Sequence, residues 1–188
     1  MSACFRTYAW ALASGVLLAW AFPTFHWFPL AWVGLTPLLI NTHTASGKES
    51  AAQFFVAGWV FHTIVLQWLM GNIFWAGGWA LLGQQGVCLA LSVYWAIAGL
   101  LWQRMNARLP RAMLAPVFAI LWVAMEWLQA RLFSGFGWAS LGYTQGPDVW
   151  LAQWAALGGV LRKQQDLPGA AECFRKCPPQ REKRTESR

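Results

Sequence analysis

Residues 79–102 read WALLGQQGVCLALSVYWAIAGLLW, 24 positions without a charged side chain. Coiled as an α-helix at about 1.5 Å per residue, such a run is about 36 Å long and exceeds the roughly 30 Å of a bilayer's hydrocarbon core. In that solvent every backbone N–H and C=O must be satisfied within the segment, which a helix does. The run is therefore read as a membrane span. Gln84 and Gln85 near its start, and Gln53, His62 and Gln67 upstream, are expected to form hydrogen bonds between helices.

The same pattern extends in both directions. Residues 51–70, AAQFFVAGWVFHTIVLQWLM, make a full-length span before the uncharged loop GNIFWAGG. The loop QRMNARLPR follows residue 102, and a further span runs from about Ala112 to Phe133. An amino-terminal run occupies residues 5–22, with Arg6 at its edge, and lacks the small-x-small pattern of a cleaved signal peptide. The run 27–40, WFPLAWVGLTPLLI, is short, about 21 Å as a helix. Residues 149–161 begin like another span and stop at about 20 Å. Residues 162–188 are charged and aperiodic, the composition of a disordered tail. The expected fold is an all-α integral membrane protein of about five to six transmembrane helices, the last incomplete, with a membrane domain over 5–161 and a polar tail over 162–188.

Composition agrees. The 188-residue chain is 57% hydrophobic and 11% charged and holds 15 tryptophans, against roughly 25% charged residues in ordinary soluble domains. Its net charge of +7 does not point to nucleic acid, because the basic residues sit at the ends of apolar runs rather than among aromatics on a soluble face. Arg6, Lys48, the trio Arg104, Arg108 and Arg111, and then Arg162 and Lys163 fall in every second loop. That alternation sets the basic loops, the amino terminus and the tail in the cytoplasm. The uncharged aromatic loops FPTFHW, GNIFWAGG and SGFGWASLGYTQG then face outward.

Chemistry-bearing residues are few. Cys4, Cys88, Cys173 and Cys177 lack the C-x-x-C spacing of a zinc or redox site. The serines form no G-x-S-x-G elbow, and there is no H-E-x-x-H or phosphate loop. No metal or cofactor is expected. Glu126 is the acid within a span, and a carboxylate there needs a partner or a wet pocket; it is read as a structural, loop-anchoring or headgroup-facing acid. Arg131, about 140° around the helix, is poorly placed to pair with it. In 134–146, Phe136, Trp138 and Tyr143 combine with Gly135, Gly137, Gly142 and Gly146, which allow close backbone approach and positive φ. Such a loop can re-enter the membrane when buried in protein, and Trp138, Glu126, Phe136 and Tyr143 are the candidate lipid-contacting residues.

The run EWLQARLFSGFGWASLGYTQ, residues 126–145, resembles the segment of bacterial apolipoprotein N-acyltransferases with Glu, Arg, T-G-F-P-W and L-G-Y-S-Q in that order. LLAWAFPTFHWFPLAWVGLTPLL at 17–39 is similar to that family's first helical hairpin, and GWVFHTIVLQWL at 58–69 to its third span. The resemblance covers about residues 8–160. It implies a multi-pass protein of the bacterial inner membrane with eight helices and a nitrilase-like periplasmic domain. Through a Glu-Lys-Cys triad, that domain moves an acyl chain from a phospholipid to the amino group of a diacylglyceryl-cysteine lipoprotein. The family's functionally important tryptophan falls on Trp138, whereas Gly137 replaces its proline. The triad domain has no counterpart here, and Cys173 does not match the nucleophile. The resemblance thus implies the amino-terminal membrane domain of such an enzyme, truncated by a frameshift or early stop and inactive alone. The rival reading is a small membrane-embedded binding or transport subunit that uses Glu126, His62 and the glutamines as a polar path.

Overall fold

The computed structural model describes residues 3–72, 77–132 and 136–145. Among them every regular element is helical. The elements are α1 (Ala3–Trp20), α2 (Leu30–Val33), α3 (Thr36–Thr42), α4 (Gly47–Val65), a 3-10 segment (Gln67–Asn72), α5 (Trp79–Asn106), α6 (Arg111–Gln129) and a second 3-10 segment (Leu141–Gln145). Two of them, α5 and α6, are long and apolar enough to cross a membrane. The run 149–161 and the tail 162–188, with Cys173 and Cys177, lie outside the described residues.

The run 79–102 does form one helix, and α5 continues it to Asn106. Other boundaries differ from the hydropathy reading for local reasons. The run 27–40 is broken into α2 and α3 at Gly34 and Leu35. Pro37 lacks an N–H in the first turn of α3, and the Leu38 N–H donates instead to the buried Ser14 Oγ of α1 at 3.0 Å. The interrupted hairpin is thereby pinned to its neighbour. Helix α4 starts at Gly47, ahead of the apolar run, because Ser46 and Glu49 form a reciprocal capping box. It ends at Val65, where Gln84 Nε2 of α5 donates to the Leu66 carbonyl at 3.2 Å. One of the orphan acceptors of a helix end is satisfied from across the interface.

Helix α4 packs mainly against α1 on one side and α5 on the other. Both interfaces rely on glycine to let the helices approach. A Cβ at Gly15 would lie 2.6 Å from the Ala57 carbonyl oxygen, and one at Gly58 would lie 2.7 Å from the Trp95 ring. An aromatic column fills the centre: Phe22 meets Phe61, Phe61 stacks on Trp95, and Trp95 meets Trp122 edge-on, with centroids 5.3, 5.1 and 4.8 Å apart. Outward faces stay apolar, with Trp79, Leu82, Ile120 and Val123 all more than 60% exposed.

Hydrogen bonds and ring contacts sort the connections into two ends. At the basic end, Asn41 Nδ2 donates to the Thr7 carbonyl and to Gln53 Oε1. Ser50 Oγ bonds the Gly99 carbonyl, Gln103 bonds the Thr42 carbonyl and Asn106 bonds the His43 carbonyl. Gln67 is exposed in the 3-10 segment, whereas Gln53, Gln84 and Gln85 act between elements: Gln53 accepts from Asn41, Gln84 donates to the Leu66 carbonyl, and Gln85 Oε1 accepts from Trp59 Nε1 of α4 at 2.9 Å. His62 does not: its Nδ1 bonds the Gly58 carbonyl of its own helix at 2.7 Å.

Candidate functional site: the aromatic loop end

The opposite end gathers the uncharged connections. Its organiser is the last turn of α6, where Glu126 and Gln129 are three residues apart and so share a face. Glu126 Oε2 accepts from Ser140 Oγ at 2.6 Å. Its Oε1 accepts from the Leu141 N–H at 2.8 Å and from the Trp122 indole at 3.1 Å. Gln129, itself buried, exchanges two bonds with Phe136: the Phe136 N–H donates to the Gln129 carbonyl at 3.1 Å, and Gln129 Nε2 donates to the Phe136 carbonyl at 3.3 Å. Hydrogen bonds to a charged acceptor are about twice as strong as neutral ones. The carboxylate thus has the partners that its place near a helix end within an apolar run demands. Arg131 sits elsewhere, with its guanidinium 4.2 Å from the Trp127 ring centroid.

Tied down in this way, residues 136–145 bury their small side and present their rings. Ala139 and Thr144 are buried, whereas Trp138 is 66% and Tyr143 58% exposed. Trp138 stacks on Trp68 with centroids 5.2 Å apart and planes 28° off parallel. Trp138, Tyr143 and Gly137 then form, with Phe22 and Pro23 of the first connection, an open cleft of about 530 Å³. Three connections distant in sequence therefore meet around one tryptophan.

Of the four residues singled out from sequence, Trp138 and Tyr143 share this cleft. Glu126 lies beneath the loop as its anchor rather than in the cleft. Phe136 turns to the other side, where it lines an apolar groove of about 560 Å³ between α5 and α6 together with Leu91, Tyr94, Leu128 and Leu132. Gly137 and Gly142 do not use positive φ, which among the described glycines occurs at Gly77. A Cβ at Gly137 would meet Ala130 at an ordinary 3.8 Å, so a side chain fits there. Gly135 and Gly146 lie outside the described residues. Sequence reasoning missed Gln129 and Trp68. The E-x-x-Q spacing at 126–129 would have signalled the first, but nothing local announces the second.

Residues 14–162 match the family model of the apolipoprotein N-acyltransferase N-terminal domain. Among curated proteins, the chain is 35% identical over 161 residues to the apolipoprotein N-acyltransferase of Geobacter metallireducens, covering 82% of this chain and 30% of that protein. It is 30% identical over 156 residues to that of Pasteurella multocida, with the same two coverages. A putative apolipoprotein N-acyltransferase of Bordetella parapertussis is 31% identical over 179 residues, covering 85% of this chain and 31% of that protein. The chain thus spans about 30% of the length of these relatives.

Proposed function

The chain belongs to the apolipoprotein N-acyltransferase N-terminal domain family, and on that premise we propose that it forms the phospholipid-contacting membrane part of such an enzyme. The domain is residues 5–161, a multi-pass element of the bacterial inner membrane with five to six crossings, followed by the polar tail 162–188. Its basic end, with Lys48, Arg104, Arg108 and Arg111, faces the cytoplasm, in keeping with the charge rule for short loops. The aromatic loop end faces outward, at the depth where tryptophan and tyrosine rings settle among headgroups. The reaction served is acyl transfer from a phospholipid to the amino group of a diacylglyceryl lipoprotein.

The observation that carries this reading is the convergence of Phe22, Trp68, Trp138 and Tyr143 at one end, with Trp138 largely exposed despite its stack. Flat, rigid rings offer a large contact area at little entropic cost, which suits the glycerol and upper acyl region of a lipid. Phe136 extends the contact to the α5–α6 groove. Both Glu126 oxygens already accept hydrogen bonds, so the carboxylate serves as anchor and not as the acid or base of the transfer. A transport path through Glu126, His62 and the glutamines is disfavoured because Glu126, Gln53, Gln84 and Gln85 are engaged in bonds to the protein and His62 Nδ1 is bonded within its own helix.

The chain reconstituted into phosphatidylethanolamine vesicles, with a trace of a phospholipid photoreactive near its ester groups, tests the proposal. Cross-links should concentrate in 136–145 and around Trp68, and should fall several-fold in Trp138→Ala. Cross-links spread evenly along α1 to α6, or absent, would overturn it.

A further inference from the structure

We infer that Glu126 is a positioning residue that sets the presentation of Trp138 to lipid by latching the loop from inside the bundle. This inference rests on the lipid-contact reading above. Four hydrogen bonds from two α6 side chains and one α6 carbonyl hold 136–145, and they grip it at both flanks of the tryptophan. Gln129 fixes Phe136, two residues before Trp138. Glu126 fixes Ser140 and Leu141, two and three residues after it. Trp138 itself is held by its stack on Trp68 and is otherwise largely exposed. The ring's place is therefore set by its stack on Trp68 and by a backbone that Glu126 holds on the carboxy-terminal flank and Gln129 on the other.

The latch also reaches the far wall of the cleft. Trp122, which donates to Glu126, packs on Trp95; Trp95 stacks on Phe61, and Phe61 meets Phe22, which lines the cleft with Trp138. One carboxylate thus joins the loop side of the cleft to the Phe22 side through a chain of packed groups. A carboxylate that merely filled an interfacial site would bond water or a local backbone group and would leave the loop's amides alone.

Hydrogen exchange and photo-labelling of the full chain in phosphatidylethanolamine vesicles test the latch. In Glu126→Ala, amide exchange in 136–145 should rise about tenfold or more, the scale of losing a charge-assisted bond, while exchange through α4 stays unchanged. Labelling of the loop should fall as far as in Trp138→Ala. The double variant should lose no more than either single one, because the two act in series. Ser140→Ala, which removes one bond and keeps the charge, should give a smaller change in the same direction. Unchanged loop exchange in Glu126→Ala, exchange raised equally in α4, or single losses that multiply in the double variant would each overturn the inference. Wild-type labelling that avoids the loop would instead overturn the lipid-contact reading beneath it.

Discussion

At the scale of single residues, the two kinds of constraint here are a crowded glycine and an occupied carboxylate. Gly58 faces Trp95, which is buried between Phe61 and Trp122 and cannot retreat. Gly58→Ala should destabilise the bundle by about 1–3 kcal/mol, the usual range for overpacking, read as a lower unfolding midpoint in detergent. A midpoint at the wild-type value would show that α4 and α5 can part without loss. His26 is the one described non-glycine residue with positive φ, at 60°. Removing a side chain from the left-handed region relieves roughly 1 kcal/mol or more, so His26→Gly should be neutral or stabilising in the same assay. Glu126 was legible from sequence as a carboxylate in need of partners, because the cost of a charge in an apolar run is a local property. Which partners it takes was not legible, since Ser140 and Leu141 are 14 and 15 residues away and the link depends on how the chain turns after Gln129.

At the scale of elements, hydropathy located the helices and local hydrogen bonding set their ends. The core of α5 could be read directly, as 24 uncharged residues admit little else in lipid. The start of α4 was misplaced because an apolar count ignores the S-x-x-E signature at 46–49, where the Ser46 N–H donates to Glu49 Oε2 at 2.9 Å and the Glu49 N–H to Ser46 Oγ at 3.3 Å. Ser46→Ala should cost about 1 kcal/mol of α4 stability. The Ser46 backbone N–H, and then its hydroxyl, hold the Glu49 carboxyl below the usual value of 4.5. A group whose folded pKa is lowered contributes stability that is fully present above its unfolded pKa and is lost as pH falls through the folded one. Exchange protection of the first turn of α4 should therefore be flat from about pH 5 to 8 and decline below about pH 4.5. Glu49→Gln should flatten that decline; an unaltered acid slope would place its origin in another group. The break between α2 and α3 escaped the sequence reading because Ser14, its partner, lies in a different helix.

At the scale of the whole molecule, alternating charge in the loops foretold that the connections sort into two sets, and the described residues do meet in those sets. The polar bonds of Asn41, Gln103 and Asn106 gather one set, and the rings around Trp138 gather the other. The sequence pattern carried that sorting because charge and apolar length repeat from one helix to the next. It could not specify that Phe22, Trp68 and Trp138 converge, which depends on how the glycine-lined interfaces of α1, α4 and α5 set the helices against one another. The central claim is that this convergence places Trp138 and its loop in contact with phospholipid at the outer face. It is tested most directly by a nitroxide at Tyr143→Cys, in a chain whose own cysteines are replaced by alanine, reconstituted into phosphatidylethanolamine vesicles. Its collision rates with oxygen and with a water-soluble nickel chelate report depth. The account predicts a label at headgroup level, with raised oxygen access and nickel access well below that of a label at Ala45 in the polar break. Nickel access equal to that of the Ala45 label, with no rise in oxygen access, would place the loop in water and contradict the claim.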